Sequence, residues 1–254
     1  RKYKVSYECL KIFAETGYPV VFSSKGKLMA DEKYLAIMKE CNIVAQVSLV
    51  SPKYDKLEPG APPFEERLRM LEKLSKNTKR LIIRIAPYAV GLSDEICGWL
   101  QVYKDNGVFG VEIEGMKSSI KKPGMVRVAG DYCYPVDMLK REYQKIKDEA
   151  KRIDLAFYCG ENRLRYMSDD TCCCGVVGVP GFIPNRANLN RLVIGEKIEY
   201  TTAMKEPESG SVFRGFLQNA IGVKIADNGR YDELMERAPK NKIFLRAMGL
   251  LHCE

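Results

Sequence analysis

The residues able to do chemistry in this chain are its cysteines, a single histidine and a few charged groups. Nine cysteines are present, and His252 is the only histidine. One histidine rules out a His-based nucleophilic triad or a multi-His metal site built from this chain alone, which removes most hydrolase and zincin chemistry. Three of the cysteines are contiguous, Cys172, Cys173 and Cys174. Two of them, joined by Cys159 or Cys133, would supply thiolates for an auxiliary iron–sulfur cluster or a structural zinc. All three cannot comfortably share one ion, because neighbouring side chains diverge. No C-x-x-C pair is present, and the competing reading is of buried thiols acting as small hydrophobes. The candidate metal set is therefore Cys159, Cys172, Cys173 and Cys174, as an auxiliary site only. Cys9, Cys41 and Cys97 fall on apolar helix faces and read as core. Among the charged groups, Lys25 suits a carboxylate as a compact point charge. Arg84 sits in an apolar run where a buried guanidinium must be paired. Glu112 and Glu114 alternate on the next strand. No Walker-type loop or dinucleotide fingerprint occurs.

These residues need elements to position them, and the chain supplies a strand–helix rhythm. A helix over Tyr3 to Thr16 carries Val5, Cys9, Ile12 and Phe13 at helical spacing and stops at Gly17, where a positive φ is needed. Residues 19–24 (PVVFSS) read as a short strand, followed by a helix from Asp31, its N-cap, to Cys41. Strands are expected at 43–50, 81–86, 108–114 and 155–159, with helices over 63–76, 93–105 and 136–153 between them. Mostly apolar strands separated by helices suit a parallel sheet with right-handed crossovers. The expected fold is α/β, a partial parallel (β/α)6 TIM-like barrel over residues 1–160, with residues 161–254 as a C-terminal extension packed on it. Five strands are legible, and a sixth is expected N-terminal to residue 1. Chemistry in such a barrel belongs at the C-terminal ends of the strands.

The formal charge of +8 is scattered over helices, with concentrations in KSSIKK and RLIIR. A basic balance favours polyanions but also serves simple solubility. No helix-turn-helix or zinc-finger pattern appears. No run of about 18 apolar residues exists, so no membrane span is expected, and the first residues lack the order of a signal peptide. Irregularly spaced cysteines in a chain large enough for an ample core point to reduced thiols and a cytoplasmic location.

Two stretches carry a family resemblance. SLVSPKYDKLEPGAPPFEERLRMLEKLS (48–75) and RLIIRIAPYAVGLSD (80–94) resemble radical S-adenosylmethionine (SAM) enzymes of the spore-photoproduct-lyase-like group, where a Ser-rich strand end leads into L-E-P-x-A-P-x-x-E-R-L. The opening RKYKVSYECLKIF is similar to a helix that follows the cluster loop in that group. The resemblance covers about residues 1 to 120. The C-x-x-x-C-x-x-C run that holds the [4Fe-4S] cluster in such enzymes is not found in this sequence, so its ligands are expected in a segment ahead of Arg1.

The resemblance implies roles residue by residue. Lys25 would meet the methionyl carboxylate of SAM, and Gly26 would let the backbone approach closely. Ser48 and Ser51 would place hydroxyls near the ribose and amino group, with Ser51 standing where the group has Thr. Arg84 would pair with the SAM carboxylate or with Glu112 or Glu114. Pro87 and Gly91 belong to a segment that packs on adenine. Glu58 and Arg67 lie in the most specific match; Arg67 either belongs to the site or pairs with an acidic neighbour. The implied cofactors are SAM and a [4Fe-4S] cluster. The implied reaction is reductive cleavage of SAM to a 5′-deoxyadenosyl radical that takes a hydrogen from a substrate, nucleic acid being one option. The implied electron donor is a flavodoxin or ferredoxin. Two other readings stand beside it. One is a clusterless barrel that keeps the pocket as a binding or regulatory module. The other is a metal-independent barrel enzyme in which Glu112, Glu114 and Lys25 move a proton at a carbonyl.

Overall fold

The computed structural model describes residues 5–128, 131–170 and 172–180. A helix α1 (Val5–Thr16) leads into β1 (Val20–Ser24), then α2 (Glu32–Glu40) and β2 (Ile43–Ser48). Two short helices, α3 (Phe64–Leu68) and α4 (Leu71–Lys76), precede β3 (Arg80–Tyr88) and α5 (Ser93–Asp105). β4 (Gly110–Gly115) is followed by three very short strands, β5 (Lys117–Ser118), β6 (Val126–Val128) and β7 (Asp131–Cys133). Then come α6 (Val136–Arg152) and β8 (Ala156–Cys159). Strands β1, β2, β3, β4 and β8 form one five-stranded sheet in that order, every neighbouring pair parallel. This is the α/β architecture expected of a partial TIM-like barrel.

Period-two alternation along the strands sorts side chains to two faces. Ala45, Val47, Ile83, Ile85, Val111, Ile113 and Phe157 join Leu35, Leu71, Leu100, Tyr143 and Ile146 from the helices in the main core. The opposite face carries Val44, Ile82 and Tyr158, which pack with Val176 and Val179 of the segment after β8. Both faces are thus covered, which is why the strands are apolar on both. Toward the C-terminal strand ends the second face turns polar. The register pairs Ser48 with Arg84, Arg84 with Glu112, and Glu112 with Tyr158 in one row across the sheet.

Several local expectations need correction. The helix expected over 63–76 is divided between α3 and α4, with Met70 N–H donating to the carbonyl of Arg67 at 3.2 Å, a tightened i to i−3 bond at the join. Asp31 precedes α2 but makes no side-chain cap; its backbone carbonyl accepts from Tyr34 and Leu35 instead. Cys9 is exposed rather than core, whereas Cys41 is buried and Cys97 half-buried. The small antiparallel sheet β5-β7-β6 had no sequence expectation, since strands of two or three residues are too short to show alternation. Gly17 does stop α1 with φ of 65°. The part of the C-terminal extension beyond residue 180 lies outside the described residues, as do His252 and Cys253. No described helix is long and apolar enough to cross a membrane.

Candidate functional site at the strand ends

A cavity of about 470 Å³ opens at the C-terminal ends of β1 to β4. It is lined by Lys25 and Ser24 after β1, Ser48 at the end of β2, Arg84 and Pro87 of β3, and Glu114, Gly115 and Lys117 around the end of β4. Each residue arrives there because a parallel strand delivers its last side chains and the following loop to the same rim. Four residues singled out in the sequence, Lys25, Ser48, Arg84 and Pro87, therefore share one wall. Gly26, Ser51 and Gly91 do not line it.

Lys25 forms an ion pair with Glu58, and Glu58 also faces Arg67 NH1 at 3.4 Å. Arg67 is buried, donates to the carbonyl of Ser48 at 2.7 Å, and lies 3.5 Å from Asp55. Asp55 in turn accepts the backbone N–H of Phe64 at 2.8 Å. The LEPGAPPFEERL segment thus ties the β2 loop to the strand end through a buried guanidinium, and Glu58 sets the position of Lys25. Ser48 Oγ donates to the Ala86 carbonyl at 3.3 Å, and Tyr54 donates to the Pro87 carbonyl at 2.9 Å, so the β3 wall is fastened to β2. Burial pushes the Tyr54 phenol up to about 12, which keeps it a hydrogen-bond donor at neutral pH.

Arg84 reaches both carboxylates of the neighbouring strand. Its NH2 donates to Glu114 Oε2 at 2.9 Å, and its Nε lies 3.1 Å from Glu112 Oε2. Neither Arg84 Nε nor Glu112 Oε2 makes a hydrogen bond, so the second contact is a charge pair without alignment. Burial opposes the Arg84 charge, while Glu112 and Glu114 hold its pKa above the usual value. For Glu112 the balance goes the other way. Burial dominates, Arg84 opposes it, and the carboxyl is pushed up to about 7. Gly160 explains how Glu112 fits: a Cβ there would overlap Glu112 Oε1. Lys117 donates to Glu114 Oε1 at 2.7 Å, which leaves Glu114 bridged by two cations at the cavity rim.

The remaining sequence candidates take structural places. Gly26 N–H donates to Ser24 Oγ at 2.9 Å in the loop that opens a short 3-10 turn. Ser51 is fully buried, caps the turn Pro52–Lys56 through the Lys53 N–H at 3.1 Å, and bonds to Glu95. Gly91, at φ of 95°, donates its N–H to Glu142 of α6 at 2.9 Å, away from the cavity. Lys117, Ser23 and Ser24 were not singled out in the sequence. The signal for Lys117 was its position just past the end of β4, equivalent to that of Lys25 past β1.

Among the described residues no group of three His, Cys, Asp or Glu side chains is placed to hold an ion. Cys159 is buried at the end of β8, its thiol directed at the Glu161 carbonyl, and burial raises its pKa. Cys172 to Cys174 lie in a turn beyond it, where Cys174 N–H donates to Cys172 Sγ at 3.3 Å and the thiols of Cys173 and Cys174 face each other at 3.6 Å. The strand fixes Cys159 while the turn folds the triplet onto itself. Trp99 packs on Phe64, ring centroids 4.9 Å apart.

No protein-family model matches the chain, and no curated protein matches it. Solved structures do. SuiB of Streptococcus suis bound to its precursor peptide SuiA superposes with a TM-score of 0.50 at 13% identity, covering 91% of this chain and 58% of that one. The likeness shows a shared fold. SuiB bound to S-adenosylmethionine gives a TM-score of 0.46 at 13% identity, covering 60% of this chain and 33% of that one. A spore photoproduct lyase variant gives 0.47 at 14% identity, covering 60% of this chain and 54% of the other. The chain spans less than two thirds of the length of each of these structures.

Proposed function

We propose that this chain forms the SAM-binding barrel of a radical SAM enzyme. The observation that carries the reading is the convergence of Lys25, Ser48, Arg84 and Glu114 on one cavity at the strand C-termini. SAM carries a carboxylate, an ammonium, a sulfonium and an adenine. Lys25 and Arg84 offer positive charge to the carboxylate, Glu114 offers negative charge to the ammonium or sulfonium, and Pro87 offers an apolar surface to the base. The cavity of about 470 Å³ lies within the ~300–1,000 Å³ range of small-molecule sites. The LEPGAPPFEERL resemblance and the fold shared with SuiB support the same reading.

The described residues do not fit a [4Fe-4S] cluster, since no three cysteines among them converge. What these residues do is bind and orient. Glu58 holds Lys25 at the rim, Arg67 holds Glu58 and the β2 end, and Glu112 and Glu114 hold Arg84.

Calorimetric titration with SAM tests the proposal. Lys25→Ala is expected to weaken binding by about 1.5–3 kcal/mol, the range for losing a hydrogen bond to a charged group. Arg84→Ala is expected to cost more, because it also leaves Glu112 and Glu114 unpaired. Unchanged affinity in both variants, or no binding to the parent protein, would refute the assignment. The proton-transfer reading draws on Glu112, whose carboxyl sits near neutrality at about 7. It predicts SAM-independent activity lost in Glu112→Gln.

A further inference from the structure

A second cavity, of about 580 Å³, lies at the opposite end of the sheet from the first, where β3, β4 and β8 begin. Its floor is apolar: Leu81, Val108 and Leu155 line it and are buried, and Phe109 beside them is 43% exposed. Its rim is cationic, with Lys79 and Arg80 at the entry to β3, Lys104 near the end of α5 and Lys151 near the end of α6. The acids on the lining, Asp154 and Asp169, are already engaged. Asp154 pairs with Lys104 at 3.3 Å, while Asp169 pairs with Lys147 at 3.1 Å and accepts the Phe157 N–H at 2.8 Å. Among the described residues Lys79 and Lys151 form no ion pair. The helix dipole favours cations at helix C-termini, which accounts for Lys104 and Lys151. It does not account for Lys79 and Arg80, which belong to a strand entrance. Arg80 is also fixed in place: its NH1 donates to the carbonyls of Gly175 at 2.6 Å and Val177 at 2.9 Å, and its guanidinium lies over the Phe109 ring, 3.8 Å from the centroid.

We propose that this second cavity binds a phosphorylated nucleoside. Lys79, Arg80 and Lys151 hold the phosphates, and the base lies on the apolar floor against Phe109. Lysine is a compact point charge suited to phosphate, and a guanidinium matches phosphate geometry. An aromatic ring gives a base a stacking surface whatever the base is. The volume of about 580 Å³ falls in the ~300–1,000 Å³ range of small-molecule sites, more room than a lone phosphate needs. Parallel strands put this site at their starts and the SAM cavity at their ends, so the proposal stands whether or not SAM binds.

The test is calorimetric titration of the full chain with ADP, pyrophosphate and adenosine as separate probes. ADP is expected to bind more tightly than either of its parts. Joint Lys79→Gln and Lys151→Gln substitution should weaken ADP and pyrophosphate about tenfold or more, the loss of charge-assisted hydrogen bonds. Phe109→Ala should weaken ADP about fivefold or more and leave pyrophosphate nearly unchanged, a split that a merely structural role would not produce. Lys25→Ala, in the first cavity, should leave ADP affinity as it is. An ADP Kd weaker than about 1 mM, or affinity insensitive to the Lys79 and Lys151 substitutions, overturns the proposal. So does loss of ADP binding in Lys25→Ala, which would put the nucleotide in the SAM cavity. A single-stranded oligonucleotide that binds more tightly than ADP, and depends on the same lysines, would make the rim a polyanion surface and overturn it too. Lys79, Phe109 and Lys151 are exposed, and the parent titration needs no substitution, so a poorly folding variant leaves the test decisive.

Discussion

Glu112→Gln tests how this fold handles a charge set against the sheet. Glu112 is 4% exposed, its Oε2 makes no hydrogen bond, and its charge partner Arg84 meets it without alignment. Burial therefore wins over attraction and raises the carboxyl from 4.5 to about 7. A raised acid binds its proton more tightly folded than unfolded. Its unfavourable contribution is absent below the unfolded pKa, grows as pH climbs from 4.5 to about 7, and stays constant above. A rise of that size corresponds to about 3 kcal/mol, with Arg84, Glu114, Cys173 and Arg165 as the charges that set it. Glutamine keeps the shape and never ionises. Urea unfolding should show the variant about equal to the parent near pH 4 and more stable by up to about 3 kcal/mol near pH 8. The midpoints decide it. A stability difference that does not change with pH, or a Glu112 carboxyl titrating in the ordinary range by isotope-edited infrared spectroscopy, would refute the reasoning.

Other substitutions probe the same frame. Arg67→Ala removes a buried guanidinium from between Glu58, Asp55 and the Ser48 carbonyl and should cost about 3–5 kcal/mol in urea unfolding. A loss below about 1 kcal/mol would mean solvent replaces it, as at an exposed pair. Gly160→Ala places a Cβ against Glu112 Oε1 and should destabilise by about 1–3 kcal/mol through overpacking. The cost should shrink in a Glu112→Ala background, and additive losses in that double-mutant cycle would show that the two do not touch.

The sequence by itself determined the parallel scaffold. Runs such as IVAQVS and RLIIRIAP could only be strands buried on both faces, the intervening helical periods could only cover them, and chain order then set strand order through right-handed crossovers. It also placed Lys25, Ser48, Arg84 and Pro87 at strand ends, which in a parallel sheet means one rim. What it could not reveal was how those groups are paired. Lys25 meets Glu58 and Arg67 meets Ser48 across sequence separations of 33 and 19 residues, and such pairings follow from packing of the β2 loop, not from spacing. The raised carboxyl of Glu112 likewise depends on burial against Gly160, just past the end of β8. Most of all, the cysteines look alike in sequence. Only the tertiary structure separates exposed Cys9 from buried Cys41 and Cys159, and sets the 172–174 thiols face to face beside Arg165, because burial and neighbouring charge are properties of a site and not of a residue type.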